Sequence, residues 1–238
     1  MQQTGTLYLI PVTLGEVNHL EVLPISIRKA IEHISTYIVE NEKTARRFIK
    51  KVVPGKSQPS LSFHILNKFT DPSEIPSFLQ LCKEGKNVGL MSEAGVPGVA
   101  DPGSDVVAYA HRLGIRVKPL VGPSSILLAV MASGLNGQNF AFNGYLPIDK
   151  TERKKKLKDF EQLSQKINQT QIFIETPYRN NKLFDEIVTS LGKHTLLGIG
   201  CDLTLSSEYI KTLSVSAWAS EKPDLHKRPT IFMIHKGH

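Results

Sequence analysis

The sequence predicts an α/β fold built from two α/β domains, and three observations predict it. Short apolar, β-branched runs alternate with segments of helical periodicity through the first half, the pattern of βαβ units around a mostly parallel sheet. One such run, Val88 to Met91, leads straight into a loop rich in Gly, Pro and carboxylates that extends to Gly103. Beyond Asn136 the runs become more widely spaced and read as a mixed sheet. The expected division is an N-terminal domain over 1–118, carrying the Gly/Pro-rich loops, and a C-terminal domain over 119–238.

Strands are expected at Leu7–Val12, Tyr37–Val39, Leu61–Leu66, Val88–Met91 and Ile115–Leu120. Between them, Ile27, Ala30, Ile31 and Ile34 recur at helical spacing, as do the apolar residues of Ile75–Cys82, so both segments should lie against the sheet. Asp105–Leu113 is a further helix, ended by Gly114 as its C-terminal cap. Val121-Gly122-Pro123-Ser124-Ser125 is a second Gly-Pro turn, opening the apolar helix Ile126–Ala132. The second-half strands fall at Phe140–Tyr145, Thr170–Glu175, Thr195–Cys201, Glu208–Leu213 and Thr230–His235.

Composition narrows the function classes. Forty per cent apolar residues in 238 suit a chain with a real core. Met1 to Gly5 lack the basic and apolar regions of a signal peptide, and the longest apolar run, Ile126–Ala132, is too short to span a bilayer, so a cytoplasmic protein without membrane contact is expected. The two cysteines, Cys82 and Cys201, form no CxxC pair, and no metal site is predicted. A net charge of +7 favours a polyanionic partner.

The loop after Val88–Met91 is built to hold a ligand, because open α/β sheets bind ligands where loops leave the carboxyl ends of parallel strands. Glu93 stands at the strand's mouth, while Pro97 and Pro102 keep the loop from becoming a helix. The chain has no GxGxxG, Walker loop, HExxH or GxSxG. It does carry, in order, Pro11-Val12-Thr13-Leu14-Gly15, Val39-Glu40-Asn41, Ser92-Glu93-Ala94-Gly95-Val96-Pro97, Asp101-Pro102-Gly103, Gly122-Pro123-Ser124-Ser125, Gly144-Tyr145-Leu146-Pro147 and Glu175-Thr176-Pro177-Tyr178-Arg179. In that order they resemble the tetrapyrrole methylase superfamily, most closely its ribosomal RNA small subunit methyltransferase I branch, over nearly the whole chain.

The resemblance implies a homodimeric two-domain methyltransferase that binds S-adenosylmethionine in a cleft between its domains. Carried over residue by residue, it puts Leu14, Gly15, Glu93, Ala94, Val96, Gly122, Ser124, Ser125, Glu175 and Thr230 against the cofactor, mostly through backbone and hydroxyl groups. Glu93 stands where the family has Asp. For the acceptor, the branch implies ribosomal RNA or the small ribosomal subunit, at a ribose hydroxyl. Such a hydroxyl is a poor nucleophile, so a base is expected; Glu40 is the first candidate and Asp101 the second. A carboxylate serving a helix N-terminus is the structural reading of Glu40, and an Asx turn before Pro102 that of Asp101. Departures at Glu16, Asn41 to Lys43 and Lys227 to Thr230 leave two alternatives: methylation of a tetrapyrrole precursor or other small molecule, and a non-catalytic RNA-binding protein that keeps the pocket.

Charge gives a separate argument for RNA. Arg153, Lys154, Lys155, Lys156 and Lys158 crowd the start of a helix whose expected core stripe is Leu157, Phe160, Leu163 and Ile167, and Arg46, Arg47, Lys50 and Lys51 form a second cluster. Clusters of this kind supply sequence-independent phosphate contacts. Tyr178 is expected either to stack on a splayed base or to pack beside the strand end.

Overall fold

Five parallel strands form the first sheet: β1 (Thr6–Ile10), β2 (Thr36–Val39), β3 (Ser62–Ile65), β4 (Val88–Met91) and β5 (Arg116–Pro119), in the spatial order β3-β2-β4-β1-β5. The structure is a computed structural model that describes residues 4–237, so the start of the Met1–Gly5 segment read above lies outside the described residues. It divides into two units, Met1–Ser124 and Ser125–His238.

The first unit's helices are α1 (His19–Val22), α2 (Ile25–His33), α3 (Glu42–Val52), α4 (Ile75–Phe78), α5 (Gln80–Lys83) and α6 (Ser104–Arg112). Because side chains alternate along a strand, the central strands feed two cores. Ile10, Tyr37 and Val39 meet Ile27, Ile31 and Ile49 of α2 and α3 on one face. Leu7, Ile38 and Leu90 meet Phe78, Cys82 and Val106 on the other. β2 and β4 are buried along their whole length, as continuous apolar runs in a covered parallel sheet should be. Gly89 is needed at its position: a Cβ there would come within 2.8 Å of Ile10 and 2.9 Å of Tyr37. The single helix expected over 75–82 is two short ones, because Leu79 (φ −103°, ψ 6°) departs from helical geometry.

The second sheet is mixed. β6 (Phe140–Tyr145) runs parallel to β7 (Thr170–Ile174), while β10 (Thr230–His235) is antiparallel to both β7 and β8 (Leu196–Cys201), and β9 (Tyr209–Ser214) is antiparallel to β8. α7 (Ser125–Ser133), α8 (Lys150–Ile167), α9 (Asn180–Ser190) and α10 (Val215–Trp218) accompany it. Stacked Phe160, Phe173 and Phe232 form the centre of its core, and the buried Trp218 indole donates to the Leu197 carbonyl at 2.8 Å.

α8 differs from expectation in what it buries. Leu163 and Ile167 are exposed, and the inward row is Arg153, Leu157, Phe160, Glu161 and Ser164, one face at i+3/i+4 spacing. Arg153 is therefore not part of a surface cationic cluster. Its guanidinium pairs with Glu186 through two bonds of 2.6 and 2.8 Å and donates to the Pro147 and Ile148 carbonyls. Arg46 is likewise turned inward, bonded to Glu42 and the Gln58 carbonyl and lying over the Phe63 ring. Arg47, Lys50, Lys155, Lys156 and Lys158 remain exposed.

Candidate active site

Adjacent strands β2 and β4 send their chains in opposite directions: β2 continues through α3 to β3 at one edge, β4 through α6 to β5 at the other. α3 covers one face and α6 the other. A crevice opens where neighbouring connections diverge in this way, just outside the carboxyl ends of the strands. Tyr37 pairs with Gly89 and Ile38 with Leu90, a register that brings Glu40 to the end of β2 beside the start of the β4 loop.

Glu40 follows a fully buried strand and is itself half-buried. The Glu93 backbone amide donates to its carboxylate, while its Oε1 is buried with no partner. Burial is the main cause of its raised pKa, and the nearby Glu93 charge adds to it. Glu40 does not cap α3; Asn41 does, accepting from the Lys43 and Thr44 amides. That cap sets Thr44 so that its hydroxyl donates to Glu93 Oε1 at 2.7 Å.

Asp101 lies further along the same loop, and its pKa is pushed up to about 6, first by burial and then by the charges of Glu40 and Glu93. Three carboxylates are thus gathered at one end of the sheet, and among the described residues no Lys or Arg forms an ion pair with any of them. Like charges held this close disfavour full ionisation.

The remaining loops of the unit come to the same end. Gly95 accepts from the Val12 amide at 2.9 Å, tying the β4 loop to the chain leaving β1. Its φ of +74° suits glycine, and a Cβ would approach Leu14 and the Pro123 carbonyl to 3.1 Å. Ala100, at φ +62°, holds a left-handed conformation uncommon outside glycine, of the kind that collects in functional loops. Between the β1 loop and α3 lies a pocket of about 200 Å³ whose walls include Thr13, Leu14, Gly15, Arg47, Phe48 and Glu93.

The structure therefore gathers Leu14, Gly15, Glu40, Glu93, Ala94, Val96, Asp101, Gly122 and Ser124 on the loops of the first unit. Ser125 opens α7 in the second unit. Glu175 and Thr230 are neighbours there, because Ile174 faces Ile231 across β7 and β10. The Glu175 carboxylate accepts from Arg179 and from the Thr176 amide, both at 2.6 Å, and Thr230 donates to the Arg228 carbonyl. Sequence reading missed Thr44; the available signal was an Asn cap at 41 with a hydroxyl three residues later.

Residues 28–216 match the family model of Tetrapyrrole (Corrin/Porphyrin) Methylases. The chain belongs to that family. It is 32% identical to the ribosomal RNA small subunit methyltransferase I of Bacillus subtilis, over 91% of this chain and 71% of that protein. Against the protein of the same name from Thermotoga maritima the identity is 30%, over 92% of this chain and 94% of the relative. Among solved structures, uroporphyrin-III C-methyl transferase from Thermus thermophilus complexed with S-adenosyl homocysteine superposes with a TM-score of 0.58, covering 98% of each chain at 14% identity, a likeness of fold. As a member of the family, the chain is an S-adenosylmethionine-dependent methyltransferase.

The donor set fits that cofactor, which carries a sulfonium and an ammonium. A buried carboxylate oxygen without a partner and a carboxyl whose ionisation is opposed by burial and by its anionic neighbours are both relieved by an adjacent cation.

Proposed function

We propose that the protein methylates a ribose 2′-hydroxyl of small-subunit ribosomal RNA, acting as a cytoplasmic homodimer. The trio Glu40, Glu93 and Asp101 at the divergence of β2 and β4 carries the reading. The relatives' names support RNA as the acceptor over a tetrapyrrole precursor. The exposed cations Arg47, Lys50, Lys155, Lys156 and Lys158 suit a phosphate backbone. Among the described residues no helix is long and apolar enough to cross a membrane.

In this proposal Glu40 and Glu93 hold the cofactor's positive groups, Glu93 steadied by Thr44. Leu14, Gly15, Ala94, Val96, Gly122 and Ser124 contribute main-chain and hydroxyl contacts. When bound, S-adenosylmethionine supplies an electrophilic methyl group. Asp101 accepts the proton of the attacking hydroxyl; a pKa near 6 leaves it mostly ionised at neutral pH yet more basic than an ordinary aspartate. Glu40 is the alternative acceptor of that proton.

Incubation with methyl-labelled cofactor and small ribosomal subunits tests the proposal. Label should enter the RNA and survive in alkali-resistant dinucleotides, since a methylated 2′-oxygen cannot cleave its neighbouring phosphodiester. Label in alkali-sensitive nucleotides overturns the ribose assignment, and label found only in a small molecule overturns the RNA assignment.

A further inference from the structure

Tyr178 lies in the turn after β7, three residues beyond Glu175, and is 71% exposed, so packing beside the strand does not account for it. The turn beneath it is held firmly. The Lys227 amide donates to the Pro177 carbonyl at 3.0 Å, and buried Asn180 donates to the Arg228 carbonyl at 2.7 Å. Arg228 is itself anchored to Asp202 and to the Asp224 and Ser207 carbonyls, while Arg179 is tied to Glu175.

Lys227 is a non-glycine residue at φ +60°, a conformation that persists only where the surroundings impose it. It carries its ammonium to 5.7 Å from the centre of the Tyr178 ring, and the His226 ring meets the tyrosine edge-on at 6.0 Å. An exposed ring on a fixed pedestal, with a cation reaching over it, offers a base an apolar surface to stack on and its phosphate a positive charge. Unpaired bases are bound in this way by stacking on aromatic side chains next to basic groups.

We propose that Tyr178 is the stacking platform for one unpaired base of the RNA acceptor, with Lys227 meeting the adjoining phosphate. The proposal rests on the RNA reading given above and adds to it a recognition point on the second unit. The occupant it commits to is single-stranded RNA, since a duplex keeps its bases stacked on one another and offers no free face.

Two measurements test it. Trp218 is buried, so Tyr178→Trp supplies the exposed indole whose emission reports stacking. A short single-stranded oligoribonucleotide should quench that emission, and the same strand in a duplex should quench it far less; equal quenching, or none, overturns the platform. In steady-state methylation of small subunits, Tyr178→Ala should raise KM by about 5- to 150-fold with kcat held, the range expected for losing one base–aromatic stack, and Tyr178→Phe should restore it.

Wild-type transfer to RNA with an unchanged KM for Tyr178→Ala overturns the platform and leaves the RNA reading standing. Absence of wild-type transfer to RNA overturns both. If Tyr178→Ala converts a dimer to a monomer in sedimentation without altering KM, the ring belongs to an interface with a second copy, and the proposal fails.

Discussion

The two units treat charge at the edge of their cores in opposite ways. Among the described residues of the second unit the buried ionised side chains are paired: Arg153 with Glu186, Asp202 with Arg228, and Glu175 with Arg179. Glu161 accepts from the Gly192 amide and the Thr195 hydroxyl. In the first unit the half-buried Glu40 and Asp101 are brought together with the exposed Glu93, with a hydroxyl and an amide for company; one Glu40 oxygen is buried without a partner, and two pKa values are raised. On the proposed reading, the difference separates charge that specifies a fold from charge kept ready for a ligand. A satisfied buried pair is costly to break and inert, whereas unsatisfied carboxylates hold free energy that a cation releases on binding.

Asp101→Asn should show the largest effect. Loss of the proton acceptor is expected to lower kcat by about 10²- to 10⁴-fold, while stability changes the other way. The folded-state pKa of about 6 lies above the ordinary aspartate value of 3.8, so the carboxyl's stabilising contribution is full below 3.8 and is lost as pH rises through about 6. The asparagine variant should therefore melt higher than wild type at pH 8 and show little difference at pH 4. A variant less stable at pH 8 would show that Asp101 is a structural Asx-turn residue. In the wild-type enzyme, kcat/KM should climb as pH rises through about 6.

Arg153→Met tests the other side of the comparison. It strands Glu186 in the core, and breaking such a pair costs about 3–5 kcal/mol, read as a lower urea midpoint. The double variant Arg153→Met/Glu186→Leu should recover much of that loss, and neither variant should alter cofactor affinity. A change in affinity would mean that the second unit's buried pair is more than scaffolding.

Glu40→Gln keeps the shape and removes the charge. Cofactor Kd should rise by about 10- to 100-fold, in keeping with the roughly 1.5–3 kcal/mol of a charged hydrogen bond, with no loss of melting temperature. Glu93→Asp, which shortens the arm by one methylene, is expected to show the smallest effect. The shorter arm gives up the 2.7 Å bond to Thr44, worth about 1 kcal/mol of stability, and cofactor affinity should change by less than about tenfold. A larger shift in affinity would show that the longer arm is part of how this chain grips its cofactor.

Much of the fold was legible because each sheet states its period plainly. Phe140–Tyr145 and Thr230–His235 are strands over the expected bounds, and Val88–Met91 leads into its loop as read. Loops flagged by Gly and Pro proved to share one end of the first sheet, since parallel order places every βα loop on the same side. What sequence hid was pairing at a distance. Nothing near Arg153 announces Glu186, thirty-three residues away, so a buried cation was read as part of a basic surface. The same blindness concealed Thr44, whose partner Glu93 lies 49 residues on. Tyr178 was ambiguous for a related reason: exposure is decided by a pedestal drawn from 224–230, outside any local window.

The most direct test of the first unit's role is proton release on cofactor binding, measured calorimetrically near pH 6 in buffers of differing ionisation enthalpy. A sulfonium beside the trio lowers the Asp101 pKa, so S-adenosylmethionine should release up to about half a proton, and uncharged-sulfur S-adenosylhomocysteine clearly less. The release should vanish in Asp101→Asn. Binding heats that are the same in every buffer, or equal proton release for the two ligands, would contradict the account.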